Sequence, residues 1–421
     1  MIKIEEYSGE NADIFIRSPQ DDPAVLSVVA DILANVKARG DEAVREYSEK
    51  FDGCALTDFE VGAREWEEGA SKCDAYLYKV MEEAAENIAD FHRRQIPSAF
   101  EVEKEDGIIV GQKVTPLARV GIYVPGGTAA YPSTVLMNAV PAKIAGVGEI
   151  IMVTPAKGGY IKPEILAAAK IAGVDKIFKV GGAQAIAALA YGTKSIPKAD
   201  KITGPGNIYV ATAKKLVYGV ADIDMIAGPS EILVLADDTA SAKRTAADML
   251  SQAEHDALAS AVLVTDSPRL AEETAAEIES QIPLLSRAEI ARKSIDGQGR
   301  IILVKDMAQA AEIANALAPE HLEVYTEEPF KLLPELKNAG SVFLGGYTPE
   351  PVGDYFAGPN HTLPTSGTAR FSSPLSGADF VKRSSYIYYT KQALEKAADK
   401  IEAFAQAEGL QAHANAIRVR R

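Results

Sequence analysis

The chain has 421 residues, of which 47% are hydrophobic and 24% charged, and its formal net charge is −15. This balance is typical of soluble globular proteins, and the length predicts two large domains with smaller extensions. The negative charge excludes ordinary binding to nucleic-acid phosphates and favours a small cationic ligand. The sequence has no secretory start and no unbroken apolar run of membrane-spanning length, and it has only two cysteines, Cys54 and Cys73. We therefore expect a protein of the cytoplasm, or of an organelle if a targeting segment has been removed, without a disulfide framework and without membrane contact.

Helical periodicity characterises the N-terminal part of the chain. Apolar residues recur every three or four positions in AVLSVVADILANVKARG (24–40) and in DAYLYKVMEEAAENIADFHRR (74–94). This spacing predicts amphipathic helices between about residues 22 and 97.

Strand-like and helix-like segments alternate after this region. The strand-like run EIIMVTPA is followed by the helix-like KPEILAAAKIAG, and KIFKVGG is followed by AQAIAALAYGT. The alternation predicts parallel βαβ units. Further strand-like segments lie at 231–237, 260–266, 300–306 and 341–346. Stretches rich in glycine and proline, which we interpret as joints of two α/β units, lie at 121–127, 203–207 and 228–229.

The alternation ends near residue 366. The tail contains VKRSSYIYYT (381–390), which predicts a piece the size of a hairpin, and then the helix-like ALEKAADKIEAFAQAEG (393–409). A segment with so little core of its own must dock on the body of the chain or on a partner subunit.

Three glycine motifs lie beside apolar segments: GIYVPGG (121–127), VGGAQA (180–185) and TGPGNIYVATAK (203–214). Glycine at a strand-to-helix turn lets backbone N–H groups approach a phosphate, but it also serves simply to make the turn. None of the motifs is GxGxxG, and no acidic residue lies at the usual distance for binding a ribose. A dinucleotide would therefore bind in a non-standard way, in a cleft that the three turns line together.

The five histidines are His92, His255, His321, His361 and His413. Gln252 and His255 are three residues apart and share one helix face, which suits either a metal or a solvated surface. Asp354 and His361 lie in GDYFAGPNHTLPT, a dense glycine- and proline-rich loop typical of functional sites. Taken alone, His413 reads as a histidine of the tail.

The stretch ALAPEHLEV places Glu320 directly beside His321. Adjacent residues point to different sides of a regular element, so they share a site only if that site wraps around them or if the backbone is irregular there. Pro319 blocks a continuing helix. A carboxylate and an imidazole are two bases of unlike strength, which suits a reaction with two proton removals. The alternative is a helix end whose histidine caps carbonyl groups. Because both cysteines lie outside these motifs, an aldehyde would be oxidised through water activated by a carboxylate.

Together these residues resemble the L-histidinol dehydrogenase family. The resemblance is carried in order by motifs spread from residue 121 to residue 413, and it is far more specific than any one of them. The matching motifs are GIYVPGG, GGAQAIAALAYGT, GPGNIYVATAK, GPSEILVLAD, LSQAEHD, APEHLEV, GDYFAGPNHTLPT and AEGLQAHANA.

The resemblance implies oxidation of L-histidinol to L-histidine through the aldehyde, with two NAD and one zinc ion per site. It implies Glu320 and His321 as the acid–base residues, His321 for the alcohol proton and Glu320 for the water. The zinc ligands that it implies are Gln252, His255, Asp354 and His413. The NAD contacts that it implies are Tyr123, Gln184 and Asn207. The substrate contacts that it implies are Ser230, Gln252, His255, His321, Asp354, Glu408 and His413, with His361 nearby.

The expected fold is α/β, with two Rossmann-like parallel-sheet domains of the aldehyde-dehydrogenase kind and small terminal extensions. We expect an N-terminal extension over 1–20, a first domain formed by 21–120 with 231–365, and an NAD-contacting domain over 121–230. The extension over 366–421 is expected to cross to the other subunit of a homodimer. Alternatives are a zinc- and NAD-dependent dehydrogenase of another polar alcohol such as a sulfonated diol, a zinc metallohydrolase, and a non-catalytic metal-binding scaffold.

Overall fold

The computed structural model describes residues 2–9, 22–53, 55–126 and 131–421. Cys54 and Gly127, and most of the N-terminal extension, lie outside the described residues. The strands are, in chain order, β1 (Lys3–Glu6), β2 (Phe100–Lys104), β3 (Ile108–Pro116), β4 (Arg119–Tyr123), β5 (Glu149–Val153), β6 (Lys176–Phe178), β7 (Lys201–Thr203), β8 (Asp222–Ile223), β9 (Glu231–Ala236), β10 (Ser260–Thr265), β11 (Arg300–Leu303), β12 (His321–Tyr325), β13 (Ser341–Leu344) and β14 (Val381–Tyr388).

Helices fill most of the connections between the strands. The α-helices are α1 (Pro23–Arg39), α2 (Asp41–Asp52), α3 (Ala63–Ala70), α4 (Ala75–Arg93), α5 (Pro132–Ile144), α6 (Pro163–Ala172), α7 (Gly182–Tyr191), α8 (Ile208–Val217), α9 (Ala242–Ala253), α10 (Pro268–Gln281), α11 (Ala288–Gln298), α12 (Met307–Leu317), α13 (Pro329–Leu332), α14 (Glu350–Tyr355), α15 (Lys391–Ala407) and α16 (Gln411–Arg418). Single 3-10 turns lie at Glu105–Gly107, Lys157–Gly159, Ile282–Leu284, Leu333–Glu335, Thr368–Arg370 and Gly377–Phe380. Of the helices in the described part of the chain, none has the length and apolar character needed to cross a membrane.

Two parallel sheets organise the body of the protein. One has the strand order β1-β11-β10-β9-β12-β13, and the other has the order β6-β5-β4-β7-β8. Every pairing in both is parallel, and the apolar strands are covered by helices, as parallel sheets require. The predicted α/β fold with two parallel-sheet units is confirmed.

A small antiparallel sheet of order β14-β3-β2 joins the tail to the body. The sequence reading expected a hairpin-sized piece at VKRSSYIYYT, and that expectation is corrected: β14 is one strand that pairs with β3 along its whole length. Almost every residue of β2 and β14 is exposed, so neither strand has the buried alternation that would reveal it in a sequence.

Core packing differs from the predicted grouping of residues 21–120 with 231–365. Apolar residues of α1 pack with those of β5, α7 and α8, and those of α4 pack with α5 and α6. These N-terminal helices therefore cover the sheet that contains β4, while β1 extends the other sheet beside β11. An amphipathic pattern shows that a helix buries one face, but it does not identify the surface that the face covers.

The tail divides into two parts in the structure. Residues 366–380 belong to the body, because Leu375 and Phe380 lie in its core and the Ser366 N–H donates to Glu231. Helices α15 and α16 instead pack mainly on each other, and α15 also touches the turn at 105–107, where Lys396 forms an ion pair with Asp106. This helical hairpin exposes apolar side chains, among them Phe404 at 72%, and Val419, just after α16, is exposed at 68%.

His92, near the end of α4, makes the stability of the fold depend on pH. Its side chain is fully buried, and burial lowers its pKa from 6.5 to about 4. The unfolded chain therefore binds a proton between these pH values that the native chain does not bind. The resulting stability is complete above about pH 6.5 and is lost as the pH falls toward 4, by up to about 3 kcal/mol.

We expect His92→Gln to remove this part of the pH dependence. Urea unfolding of wild type and variant should be compared at about pH 5 and pH 7.5, with metal removed and the protein concentration fixed. Between pH 7.5 and pH 5, the free energy of unfolding of the wild type should fall by more than that of His92→Gln. Identical pH dependence in both proteins would show that His92 is not the responsible group.

Candidate active site

The side chains of Glu320 and His321 both contact the backbone of Glu231, the first residue of the neighbouring strand β9. Glu320 Oε2 accepts a hydrogen bond from the Glu231 backbone N–H at 2.9 Å, and His321 Nδ1 lies 2.9 Å from the Glu231 carbonyl oxygen. In return, Glu231 Oε2 accepts from the Glu320 backbone N–H at 3.3 Å. A carbonyl oxygen only accepts, so Nδ1 carries a proton and Nε2 faces the site.

The local backbone explains how two consecutive side chains reach one place. Helix α12 ends at Leu317, and Ala318 has a φ of +47° in the left-handed region. Pro319 follows, and β12 begins only at His321. The pair therefore lies at the irregular joint between a helix and a strand, at the amino ends of β9 and β12. The predicted irregularity is observed, and the alternative of a histidine capping a helix end is wrong.

Two further carboxylates face Nε2 of His321. They come from Glu350 and Asp354, which stand four residues apart on one face of α14. Nε2 lies 3.8 Å from Glu350 Oε1 and 3.7 Å from Asp354 Oδ1. His361 Nδ1 lies 4.0 Å from the same Asp354 oxygen. Acids and imidazoles from three distant segments thus converge on one buried space.

Burial and crowding shift the pKa of these groups in different directions. Burial raises the pKa of Glu320 to about 7, against the lowering effect of the adjacent His321. Burial lowers the pKa of His321, but the Glu320 and Asp354 carboxylates outweigh it and raise that pKa to about 10. Burial and the Asp354 carboxylate raise the pKa of Glu350 to about 8. For Asp354, burial raises the pKa, but the nearby imidazoles of His321 and His361 outweigh it and hold that pKa well below the usual range.

The donor atoms at this site fit a divalent cation. In the described part of the chain, His321, Glu350 and Asp354 offer ligand atoms within 4.8 Å of one another. His321 Nε2, Glu350 Oε1 and the Gln252 side-chain nitrogen are buried and find no hydrogen-bond partner in the part of the chain that the structure describes. A divalent cation on Asp354 would compensate the negative charge that the Asp354 and Glu350 carboxylates place in this buried space.

The predicted zinc ligands are brought together only in part. Gln252 lies close enough to Glu350 to lower its pKa, and His255 lies within electrostatic reach of Asp354 and His321. His413 lies apart from them: it is exposed and, together with Glu408, lines a groove formed by α15, α16 and the turn between them. Within one chain, the tail does not complete the set.

The predicted NAD contacts surround the carboxyl ends of the second sheet. Tyr123 ends β4, and its hydroxyl oxygen accepts from the Gly182 N–H at 3.2 Å. A Cβ added to Gly204, whose φ is +113°, would lie 2.1 Å from the Tyr123 carbonyl oxygen, so only glycine fits there. Tyr123 thus touches the turns after both β6 and β7. The turns at 121–126, 180–185 and 203–207 therefore lie together at the carboxyl edge of the sheet.

The side-chain amides of Gln184 and Asn207 differ in their hydrogen bonds. Gln184 is 1% exposed, and both of its side-chain amide atoms lack a hydrogen-bond partner within residues 2–9, 22–53, 55–126 and 131–421. Asn207 is exposed and caps α8, where its Oδ1 accepts from the Tyr209 and Val210 N–H groups. Its side-chain amide nitrogen remains available for a ligand.

A buried ion pair fixes the turn after β7. Lys214 pairs with Asp224, and both side chains are almost fully buried. Lys214 Nζ donates to the Gly204 carbonyl at 2.9 Å, and Asp224 Oδ2 accepts from the Gly204 N–H at 2.7 Å. Both polar groups of this glycine are therefore held by charges, which sets the position of the turn that leads to Asn207.

Comparisons with known proteins agree with the resemblance seen in the sequence. A family model described as histidinol dehydrogenase matches residues 16–421. The chain belongs to the histidinol dehydrogenase family. Histidinol dehydrogenase of Clostridium acetobutylicum is 56% identical over 96% of this chain and 94% of its own length. That of Bacillus subtilis is 56% identical over 93% of this chain and 92% of its own length.

Solved structures identify the fold in the same way. The crystal structure of histidinol dehydrogenase from Elizabethkingia anophelis has a TM-score of 0.95 and 38% identity, covering 100% of this chain and 98% of the other. An acetylating aldehyde dehydrogenase from Geobacillus thermoglucosidasius has a TM-score of 0.50 at 14% identity, covering 89% of this chain and 99% of the other. The second likeness shows the fold alone, and it confirms the aldehyde-dehydrogenase-like architecture.

Sequence reasoning missed two acids of this histidinol dehydrogenase site, Glu231 and Glu350. Both are buried, at 3% and 2% exposure. Glu231 opens an apolar strand, and a charged residue there is ordinarily read as a solvated end. The signal for Glu350 was its four-residue spacing from Asp354, which places both carboxylates on one helix face.

Proposed function

We infer that the chain oxidises L-histidinol to L-histidine, as an oxidoreductase of histidine biosynthesis. The observation that carries this conclusion is the 56% identity to histidinol dehydrogenases over nearly the whole chain. The acid–imidazole site described above gives that identity a chemical basis. The alternatives, another polar alcohol or a metallohydrolase reaction, are not favoured.

Zinc is proposed to be held by Gln252, His255 and Asp354 of one subunit and His413 of the partner subunit. Imidazole and carboxylate are usual zinc ligands, and the amide oxygen of Gln252 would be a less common fourth one. When bound, zinc supplies a positive charge and a template for the imidazole and amine of the substrate. Glu350 and His321 line the same space and are proposed to remain outside the ligand set. The negative charge around the site also suits the ammonium group of the substrate.

NAD is proposed to bind along the glycine turns of the second sheet, through Tyr123, Gln184 and Asn207. When bound, NAD takes up a hydride in each of the two oxidations. The buried and unpartnered amide of Gln184 supports this assignment, because it offers a donor and an acceptor to a ligand entering the cleft. Ser230 is proposed to contact the substrate. It directly precedes Glu231, the residue whose backbone Glu320 and His321 both contact.

The two proton removals are assigned to Glu320 and His321. His321, held by the Glu231 carbonyl, presents Nε2 and removes the proton of the alcohol while hydride leaves the carbinol carbon. With a divalent cation on Asp354, the pKa of His321 would fall toward neutrality, because part of the surrounding negative charge is then compensated. Glu320 is proposed to take a proton from water as it adds to the aldehyde.

The active unit is proposed to be a homodimer in which α15 and α16 cross to the partner. Two observations support this proposal: the exposed apolar side chains of the hairpin, and the separation of Glu408 and His413 from the other site residues within one chain. Glu408 of the partner subunit would then contact the substrate beside His413 of the partner subunit.

The inferred function is tested with the purified, zinc-loaded protein. We expect NADH to form with L-histidinol at a ratio of about two per substrate, since each of the two oxidations transfers one hydride. A strong chelator should abolish turnover, and added zinc should restore it. A sulfonated diol should give no NADH. Turnover of the diol with none of histidinol would instead assign the chain to a different substrate.

A further inference from the structure

Asp52 stands where its charge is locally unfavourable. It is the last residue of α2, and the carboxyl end of a helix already carries partial negative charge. One of its oxygens accepts a hydrogen bond from the backbone N–H of Gly181, and the other, Oδ2, is buried and has no hydrogen-bond partner among the described residues. An acid kept in such a place against local preference points to a role in ligand binding.

Asp52 lies beside the turn at which α7 begins. The Tyr123 hydroxyl occupies the N–H of Gly182, next to the Gly181 N–H that Asp52 occupies. Gln184, on the first turn of the same helix, contributes a buried amide whose oxygen and nitrogen are both unpartnered. A carboxylate oxygen and an amide are therefore both short of partners beside one turn.

The negative charge of Asp52 determines which kind of ligand group can bind beside it. The N–H groups that would bind a phosphate at the start of α7 are already taken by Asp52 and Tyr123, and a second anion would be repelled by the carboxylate. A neutral donor such as a hydroxyl is complementary to it. Vicinal hydroxyls are the groups that an acidic residue recognises on the ribose of NAD in dinucleotide-binding sheets.

The position of Asp52 relative to the second sheet also fits a site for the ribose of a dinucleotide. Pro155, just after β5, lies between the turns after β4 and β6: added Cβ atoms on Gly126 and Gly181 would approach it to 2.6 and 2.4 Å. Asp52, which is bonded to the Gly181 N–H, therefore lies beside the turn at the carboxyl end of β6, and this turn packs next to those after β5 and β4. Dinucleotides bind at the carboxyl ends of the strands in such folds.

We propose that Asp52 accepts the hydroxyls of the adenosine ribose of NAD and excludes the 2′-phosphate of NADP. This rests on the proposed binding of NAD at the second sheet. It supplies the acidic residue that the sequence lacks at the usual spacing, from a helix that precedes the sheet in the chain.

The test is isothermal titration of the zinc-loaded protein with NAD and with NADP. Asp52→Asn keeps the size and the acceptor for the Gly181 N–H but removes the charge. We expect Kd for NAD to rise about tenfold, since hydrogen bonds to a charged group are worth about that factor or more. Kd for NADP should stay the same or fall, so that the preference for NAD drops at least about tenfold.

Glu49→Gln is the matched control, because it removes one exposed charge from the same helix without reaching the turn. It should leave both Kd values unchanged. A purely structural role of Asp52 would weaken NAD and NADP in equal ratio, and that result, or an unchanged Kd for NAD in Asp52→Asn, overturns the proposal. Histidinol turnover by the wild type decides the inferred function separately.

Discussion

Replacing His321 by asparagine is expected to lower kcat for histidinol oxidation by about 10²–10⁴-fold, the usual contribution of a positioned general base. Asparagine is the matched substitution because its side-chain N–H can still donate to the Glu231 carbonyl, as Nδ1 of His321 does. It has no counterpart of Nε2, the atom that faces Glu350 and Asp354. Steady-state NADH formation measures the loss.

The companion variant Glu320→Gln separates the two oxidations. Its amide oxygen can still accept from the Glu231 N–H, but it cannot take a proton from water. With L-histidinal supplied as the substrate, Glu320→Gln should be the slower variant, whereas with L-histidinol His321→Asn should lose the first hydride transfer. If both variants lost the same step to the same extent, the assignment of one base to each oxidation would be wrong.

The pH profile of the aldehyde step gives a second measurement on Glu320. Burial raises the pKa of this carboxyl to about 7. Its basic form therefore accumulates as the pH rises, so the rate should increase up to about pH 7 and then level off. Glu320→Gln should remove that inflection, while zinc affinity, measured by chelator competition, should remain close to wild type.

Much of the fold follows from hydrophobic periodicity. The strand-like runs at 149–156, 176–182 and 231–237 contain β5, β6 and β9, because strands buried on both faces are continuous apolar segments. Strands β2 and β14 cannot be recognised in this way, because they are exposed along nearly their whole length and contain no continuous apolar segment. Pairing with β3 stabilises them through backbone hydrogen bonds that leave no apolar pattern.

The location of the site could not be predicted from the sheet. Parallel α/β sheets usually bind ligands at the carboxyl ends of their strands, whereas Glu320 and His321 lie at the amino ends of β9 and β12. Motif resemblance, and not strand order, therefore identified the pair. Glu231 shows the limit of such resemblance, because its role depends on contacts with Glu320 and His321, which lie far along the chain.

The position of the tail leads to the second large effect, in mixed dimers. Glu320→Ala damages the body of one subunit, and His413→Ala damages only the tail. Each homodimer should be inactive. The structure places His413 in the α15–α16 hairpin, away from Gln252, His255 and Asp354 of its own chain, so the proposed crossing predicts that the two lesions can be separated by exchanging subunits.

After the two variants are denatured together and refolded at equal concentration, half of the dimers should be mixed. One of the two sites in each mixed dimer then combines an intact body with an intact tail, so activity should return to about a quarter of wild type. Refolding each variant alone is the control and should give none. If the hairpin served its own subunit, every site in the mixture would keep one lesion, and the mixture would stay as inactive as its parents.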